Sequence, residues 1–215
     1  MAKKKLTAEE IEQQIKQLQD QLEELRNTKP DFEHMKAGDE FTYCGLTWIC
    51  LDPGYCEESA NEFGCLAIVK EFWRSDVPFD RGESNNYFES DIRELLKKEL
   101  EPKLEDKTIP HLIDTVMENG KEQQPGKTVS DHAFLLSVQE YIRYAEHVPY
   151  SNYDDWFWLR SPNPSNAYNA RIVITDGSLG SSSAFYAYGV APACIFKIWQ
   201  SAAIAARRSK HVRNL

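Results

Sequence analysis

The sequence predicts an α+β fold, a single domain of strands and short helices behind an N-terminal coiled-coil helix. Three observations carry this. A heptad seam opens the chain, β-forming stretches separated by Gly, Pro and Asp occupy residues 38–75 and 171–199, and two capped amphipathic helices begin at Ser90 and Ser137. The 215 residues, 41% hydrophobic and 12% aromatic, suffice for one core of ordinary size plus an appendage. The expected division is residues 1–30 as the coiled-coil helix, 31–199 as the domain and 200–215 as a basic tail.

Ile11, Leu18 and Leu25 recur every seven residues, with Ile15 and Leu22 between them, so all five share one stripe of a helix over residues 6–28. Glu, Gln, Lys and Asp fill its other faces, and Pro30 closes the segment. A lone helix of this length is marginal in water. The stripe needs a partner, either a second copy of the chain or the chain's own domain, and a homo-oligomer is the expectation. Beyond the Gly38-Asp39 turn, Glu40 to Leu51 alternates β-formers, Asp52-Pro53-Gly54 turns the chain, and Cys65 to Glu71 is the next strand. Residues 75–90 read as a loop.

Ser90 caps a helix whose Ile92, Leu95, Leu96 and Leu100 share a face and which ends just before Pro102. Residues 103–118 are helical or loop, and 119–127 are a turn-rich connection. Ala133 to Leu136 reads as a short buried strand. It leads into Ser137-Val138-Gln139-Glu140, a capping box in which hydroxyl and carboxylate satisfy each other's backbone amides. Arg171 to Thr175 is a strand with Ile172 and Ile174 toward the core and Arg171, Val173 and Thr175 on the other side. Asp176-Gly177 is its hairpin turn, and Ala184 to Tyr188 and Ala193 to Trp199 are the last strands.

With 25 basic against 34 acidic residues the net charge is −9, which disfavours nucleic acid as a partner. The five basic residues from Lys197 onward stand without an acid, leaving −14 on the rest. Cys44, Cys50, Cys56, Cys65 and Cys194 lack metal-site spacing and read as small buried residues. No apolar stretch is long enough to span a bilayer, and the N-terminus lacks a signal peptide's apolar core. The expectation is a chain cytoplasmic at synthesis, with reduced thiols, no cofactor and no metal. Neither a phosphate-binding glycine loop nor a nucleophile elbow or zinc-protease motif is present. His34, His111, His132, His147 and His211 read as surface or satisfied core residues, and Asp154-Asp155 as a solvated acidic turn.

The segment from Trp156 to Cys194 has ends rich in bulky aromatics, Pro and Gly, and a middle of Asn, Ser, Tyr, Ala and Gly. That middle has the composition of binding surfaces, where Tyr gives contact area and Asn and Ser adaptable hydrogen bonds at low entropic cost. Trp156, Trp158 and Trp199 read as core.

Through W-F-W-L-R-S-P (156–162), D-G (176–177) and G-V-A-P-A (189–193), the chain resembles a bacterial and phage family of unassigned function. T-W-I-C-L (47–51), E-S-D-I-R-E-L-L (89–96) and F-L-L-S-V-Q-E-Y (134–141) extend the resemblance over roughly residues 38–198. That family is similar to the C-type lectin fold as used by formylglycine-generating enzymes and by the variable proteins of diversity-generating retroelements. The resemblance implies a C-type-lectin-like domain with fixed ends and a ligand surface on residues 163–188. Asn163, Ser165, Asn166, Tyr168, Asn169, Arg171 and Val173 would line its first half, and Ser178, Ser181, Ser182, Ser183, Phe185, Tyr186 and Tyr188 its second.

The expected function is therefore non-enzymatic display toward an unknown protein or cell-surface ligand, multiplied by oligomerisation. Ala191 stands where the family has Arg, and the sugar-binding motifs of calcium-dependent lectins are absent. Two other readings stay open. One is an enzyme of the formylglycine-generating group with an activated cysteine or bound cation. The other is a structural component assembled into a phage particle.

Overall fold

Strand-forming residues dominate the observed architecture, as their alternation predicts, and the helices are few. The computed structural model describes residues 8–58, 60–114, 117 and 120–198. Helix α1 (Ala8–Asn27) precedes β1 (Glu40–Tyr43), β2 (Leu46–Glu57), β3 (Glu62–Val69) and β4 (Arg74–Pro78). Then come α2 (Asp91–Glu99), α3 (Glu101–Leu104), β5 (Thr108–Ile109), β6 (His111–Ile113), β7 (Val129–Asp131) and α4 (Val138–Tyr144). The last strands are β8 (Phe157–Pro162), β9 (Asn169–Val173), β10 (Leu179–Ser183), β11 (Ala187–Val190) and β12 (Ala193–Lys197). Trp199 and the expected basic tail, 200–215, lie outside the described residues.

Two open sheets form, in the orders β1-β2-β3-β12-β5 and β10-β9-β8-β11-β4, with β6 and β7 as a separate ribbon. All pairings are antiparallel except β8 with β11. In the first sheet β3 and β12 lie side by side near the centre, so Gly64 to Val69 and Ala193 to Phe196 are buried without a break. Phe196 is the hub of the aromatic core, with ring centroids 5.7, 5.5, 5.6 and 5.0 Å from Phe32, Phe41, Tyr43 and Trp48. Such ring pairs add about 0.5–1.5 kcal/mol each beyond area burial.

Several expected elements are corrected. Glu40 to Leu51 is two strands, because Cys44-Gly45 makes a two-residue hairpin turn with φ of 55° and 76°. Positive φ at both positions matches the twist of the strands it joins. Asp52-Pro53-Gly54 is not a turn between strands. It lies inside β2 at two register shifts against β3, where a bulge tolerates the missing proline N–H. Residues 75–90 are not all loop, since β4 takes the first of them. Residues 108–113 supply the short strands β5 and β6. Ala133 to Leu136 is buried as expected, but only Phe134 pairs in ladder fashion, with Ala193. Its neighbours bond elsewhere: the Leu135 amide donates to the Tyr87 hydroxyl and the Leu136 carbonyl accepts from Arg160.

Local chemistry sets the helices where expected. Ser90 Oγ accepts from the Arg93 amide to start α2, which buries Ile92 and Leu96. The capping box at Ser137 and Glu140 starts α4, with both reciprocal bonds formed. Between the sheets Gly189 allows β11 to lie against the Phe72 ring, whose atoms would stand 2.3–2.5 Å from any Cβ there. No helix among the described residues is long and apolar enough to cross a membrane.

Candidate surface on the second sheet

The hairpin β9–β10 forms the outer edge of the second sheet, with Asn169 opposite Ser183, Arg171 opposite Ser181 and Val173 opposite Leu179. Period-two alternation puts these six on one face and Ala170, Ile172, Gly180 and Ser182 on the other. Ile174 to Ser178 close the hairpin. Ile174 donates to the Ser178 carbonyl at 3.0 Å, and Asp176 Oδ1 accepts from the Ser178 amide at 2.8 Å.

Two loops flank the far end of the hairpin, and both are held through their backbones. Asn85, 2% exposed, points its amide nitrogen at the carbonyls of Asn163, Asn166 and Asn169 at 3.3, 3.0 and 2.9 Å. Its own amide donates to the Ala167 carbonyl at 2.9 Å, and Gln123 donates to its side-chain oxygen at 2.6 Å. The second loop, 184–186, is tied by Ala184 donating to the Tyr168 carbonyl and by Asp80 donating to the Ala184 carbonyl. Ala184 to Tyr188 was expected as a strand. Instead Ser183 turns the chain, its carbonyl accepting from Tyr186 and its hydroxyl from Phe185, so β11 begins only at Ala187. This turn lifts Phe185 and Tyr186 out of the sheet.

Of the expected surface residues, Ser165, Asn166, Tyr168, Ser178, Phe185 and Tyr186 are exposed, with Tyr168, Phe185 and Tyr186 at 62%, 55% and 60%. Asn163, Asn169, Arg171, Ser181, Ser183 and Tyr188 are half-buried at the border. Ser181 Oγ gathers this border, accepting from Asn163 at 2.9 Å and from Arg171 at 2.7 Å. Val173 and Ser182 are corrections, because both are buried. Val173 registers with Phe157, whose ring packs on Tyr141 and Tyr153, so α4 and the 149–155 loop cover that end of the face. Ser182 faces the opposite side and bonds the Tyr188 hydroxyl at 2.9 Å. Trp158 is core as expected, but Trp156 stands 36% exposed beside Tyr188, with ring centroids 5.3 Å apart.

Sequence reasoning missed Asn85. Paired asparagines in S-N-N-Y signal only a polar loop, and all the carbonyls it holds are distant in sequence. Asn85→Ala removes the side-chain donor from all three carbonyls; those of Asn166 and Asn169 keep the backbone amides of Asn169 and Asn163, so the cost is about 1–3 kcal/mol, chiefly at Asn163. The expected result is faster amide hydrogen exchange across residues 163–169 with little change in the first sheet, measured on the full chain.

A second polar group lies at a cleft of about 330 Å³ lined by His111, Ser137, Glu140 and Arg160 among others. His111 sits between Glu57, 2.6 Å from Nδ1, and Glu140, 3.2 Å from Nε2. Arg160, buried in β8, pairs with both Glu140 oxygens and donates to the Leu135 carbonyl at 2.7 Å. Burial alone would raise the Glu140 carboxyl, but Arg160 and His111 outweigh it and hold it well below the carboxylate range. Burial alone would lower His111, but Glu140 and Glu57 outweigh it and raise the imidazole.

A lowered carboxylate stabilises the fold above its ordinary value of 4.5 and loses that contribution as pH falls through the folded value. A raised imidazole contributes fully below its ordinary 6.5 and loses it as pH rises through the folded value. Thermal stability should therefore peak between 4.5 and 6.5 and decline toward alkaline pH. In His111→Gln that alkaline decline should flatten. An unchanged slope in that variant would count against the assignment.

No curated protein and no solved structure matches the chain. The sequence profile of DUF6273, a domain of unknown function, matches residues 66–198. That match begins in β3, ends after β12 and takes in the whole second sheet with its surface. The chain belongs to the DUF6273 family.

Proposed function

We propose that this chain is a non-enzymatic ligand-binding protein with a C-type-lectin-like domain, a variable protein of the diversity-generating-retroelement kind, displaying residues 163–188 toward a protein or cell-surface ligand. One observation carries this reading most strongly. The backbones of both loops are fixed by buried partners, Asn85 and Asp80, while Tyr168, Phe185 and Tyr186 stand more than half exposed. Folding alone gives no reason to hold three large rings in water at neighbouring positions, whereas binding rewards rigid aromatic anchors whose ordering is already complete. The buried ends of the segment, Phe157 to Pro162 and Gly189 to Cys194, agree with a fixed frame around a changeable middle.

The formylglycine-generating reading calls for an activated thiol or a bound cation, and the thiols do not favour it. Burial pushes Cys44 up to about 11 and also raises Cys56 and Cys194, while Cys65 is raised by its contact with Cys50 and by burial. These shifts run opposite to nucleophile activation.

Display predicts a separation of binding from stability. The combined Tyr168→Ala, Phe185→Ala and Tyr186→Ala variant should unfold within about 0.5 kcal/mol per site of wild type, as for ordinary surface positions. On arrays of bacterial surface proteins and glycans it should lose the signals that labelled wild-type protein gives. Retained signals, or a collapse in stability, would count against the surface. Diversification itself has a direct check in the neighbouring DNA: a near-copy of the codons for 156–194, differing mainly at adenines, beside a reverse transcriptase.

Helix α1 serves in this proposal as the oligomerising stem. Ile11, Ile15 and Leu18 are 45%, 50% and 64% exposed, so this part of the seam is not buried against the domain. Leu18→Asp places a charge in that stripe and should lower the sedimenting mass to that of one chain. Equal mass for variant and wild type would remove the stem from the proposal.

A further inference from the structure

We propose that the outer edge of β10 accepts an extended polypeptide segment of the bound partner as an added strand. This rests on the reading of 163–188 as the binding surface and names how a protein ligand engages it. The direction of each backbone group in β10 follows from the hairpin bonds. Ile174 donates to the Ser178 carbonyl and Ala184 donates to the Tyr168 carbonyl, so the even-numbered residues of β10 turn their polar groups toward β9. Leu179, Ser181 and Ser183 therefore point theirs the other way. The Ser183 carbonyl is used by Tyr186. Among the described residues no strand pairs with that side of β10.

Natural sheets guard such edges with charge, proline, bulges or extreme shortness, because an open row of N–H and C=O groups templates another strand. The other outer strands here carry those guards. β4 has Arg74, Asp76 with a φ of 55° and Pro78; β1 is four residues with Glu40; β5 has two residues. β10, L-G-S-S-S, has no charge and no proline, and its register with β9 is unbroken. An alternating row of donors and acceptors at strand spacing is matched by an extended backbone, and by neither a sugar nor a helix. The edge runs directly into the turn bearing Phe185 and Tyr186, so backbone pairing and aromatic contact lie along one line.

The test uses random linear peptides displayed on phage, selected against the immobilised full-length protein. Enriched peptides are then synthesised and titrated against wild type, Ser181→Ala and Ser181→Pro. Ser181→Ala loses the hydroxyl and keeps the outward N–H; Ser181→Pro removes that N–H, which an edge strand tolerates. The expected result is binding to Ser181→Pro weaker by about tenfold or more than binding to Ser181→Ala, which has lost the same hydroxyl, the scale of one well-made hydrogen bond. N-methylation at alternate peptide residues should cost a similar factor, and this arm holds even if Ser181→Pro fails to fold. Indifference to N-methylation, or no enriched peptide, overturns the inference. Peptides lost only to the Tyr168→Ala, Phe185→Ala, Tyr186→Ala variant would overturn the edge while leaving the binding face intact. A sedimenting mass that falls in Ser181→Pro would make a second copy the occupant, and would also overturn it.

Discussion

Everything in this molecule hangs on a line of buried charge that crosses its separate layers. Glu57 ends β2 in the first sheet, His111 lies in the small ribbon, Glu140 in α4 and Arg160 in the second sheet. Neither five-stranded sheet is closed, so each needs the other and the connecting segments to cover its faces. Charges withdrawn from water in this way are tolerated only while each has its partner. Removing one leaves its partners' charge less compensated, which ties the placement of the layers to one another. Glu140 is the junction, because it also caps its own helix by accepting from the Ser137 amide at 2.7 Å.

With the layers fixed, the second sheet divides into a buried part and an exposed edge. Trp158, Phe157 and Ile172 bury the middle of the sheet, and Tyr188 leans on Trp158 with ring centroids 5.1 Å apart. Outward from this, each step toward the solvent exchanges apolar packing for hydrogen bonds to backbone. Asn85 and Asp80 hold the main chain of the two loops by hydrogen bonds. At the sheet's edge Tyr168, Phe185 and Tyr186 stand more than half exposed, while Asn163 and Arg171 both donate to Ser181 Oγ.

Features built from neighbouring residues were legible in the sequence. The capping box at Ser137, the Ser90 cap, the turn at Asp176-Gly177 and the burial of F-W-L-R-S-P (157–162) all follow from chemistry within a few residues. Where two local signals competed, the weaker-looking one sometimes won. Cys44 takes a left-handed conformation that nothing in its type advertises, and Asp52-Pro53-Gly54 stays in a strand because its bulge is paired along both flanks. A-F-Y-A-Y alternates like a strand, but Ser183 bonds its own neighbours first. Asn85 and the Glu57–His111 contact join residues far apart in the chain, and a single sequence holds no trace of such pairings.

The asparagines of the first loop have one more consequence. Asn163 Oδ1 accepts from the Ser165 amide and Asn166 Oδ1 from the Tyr168 amide, so each side chain also sets the path of the residues after it. Replacing either would re-aim Tyr168 as well as remove an amide. Positions on this loop are thus not independent of one another. They behave more like joints, so that a change of one residue is inherited as a change of contour by its neighbours.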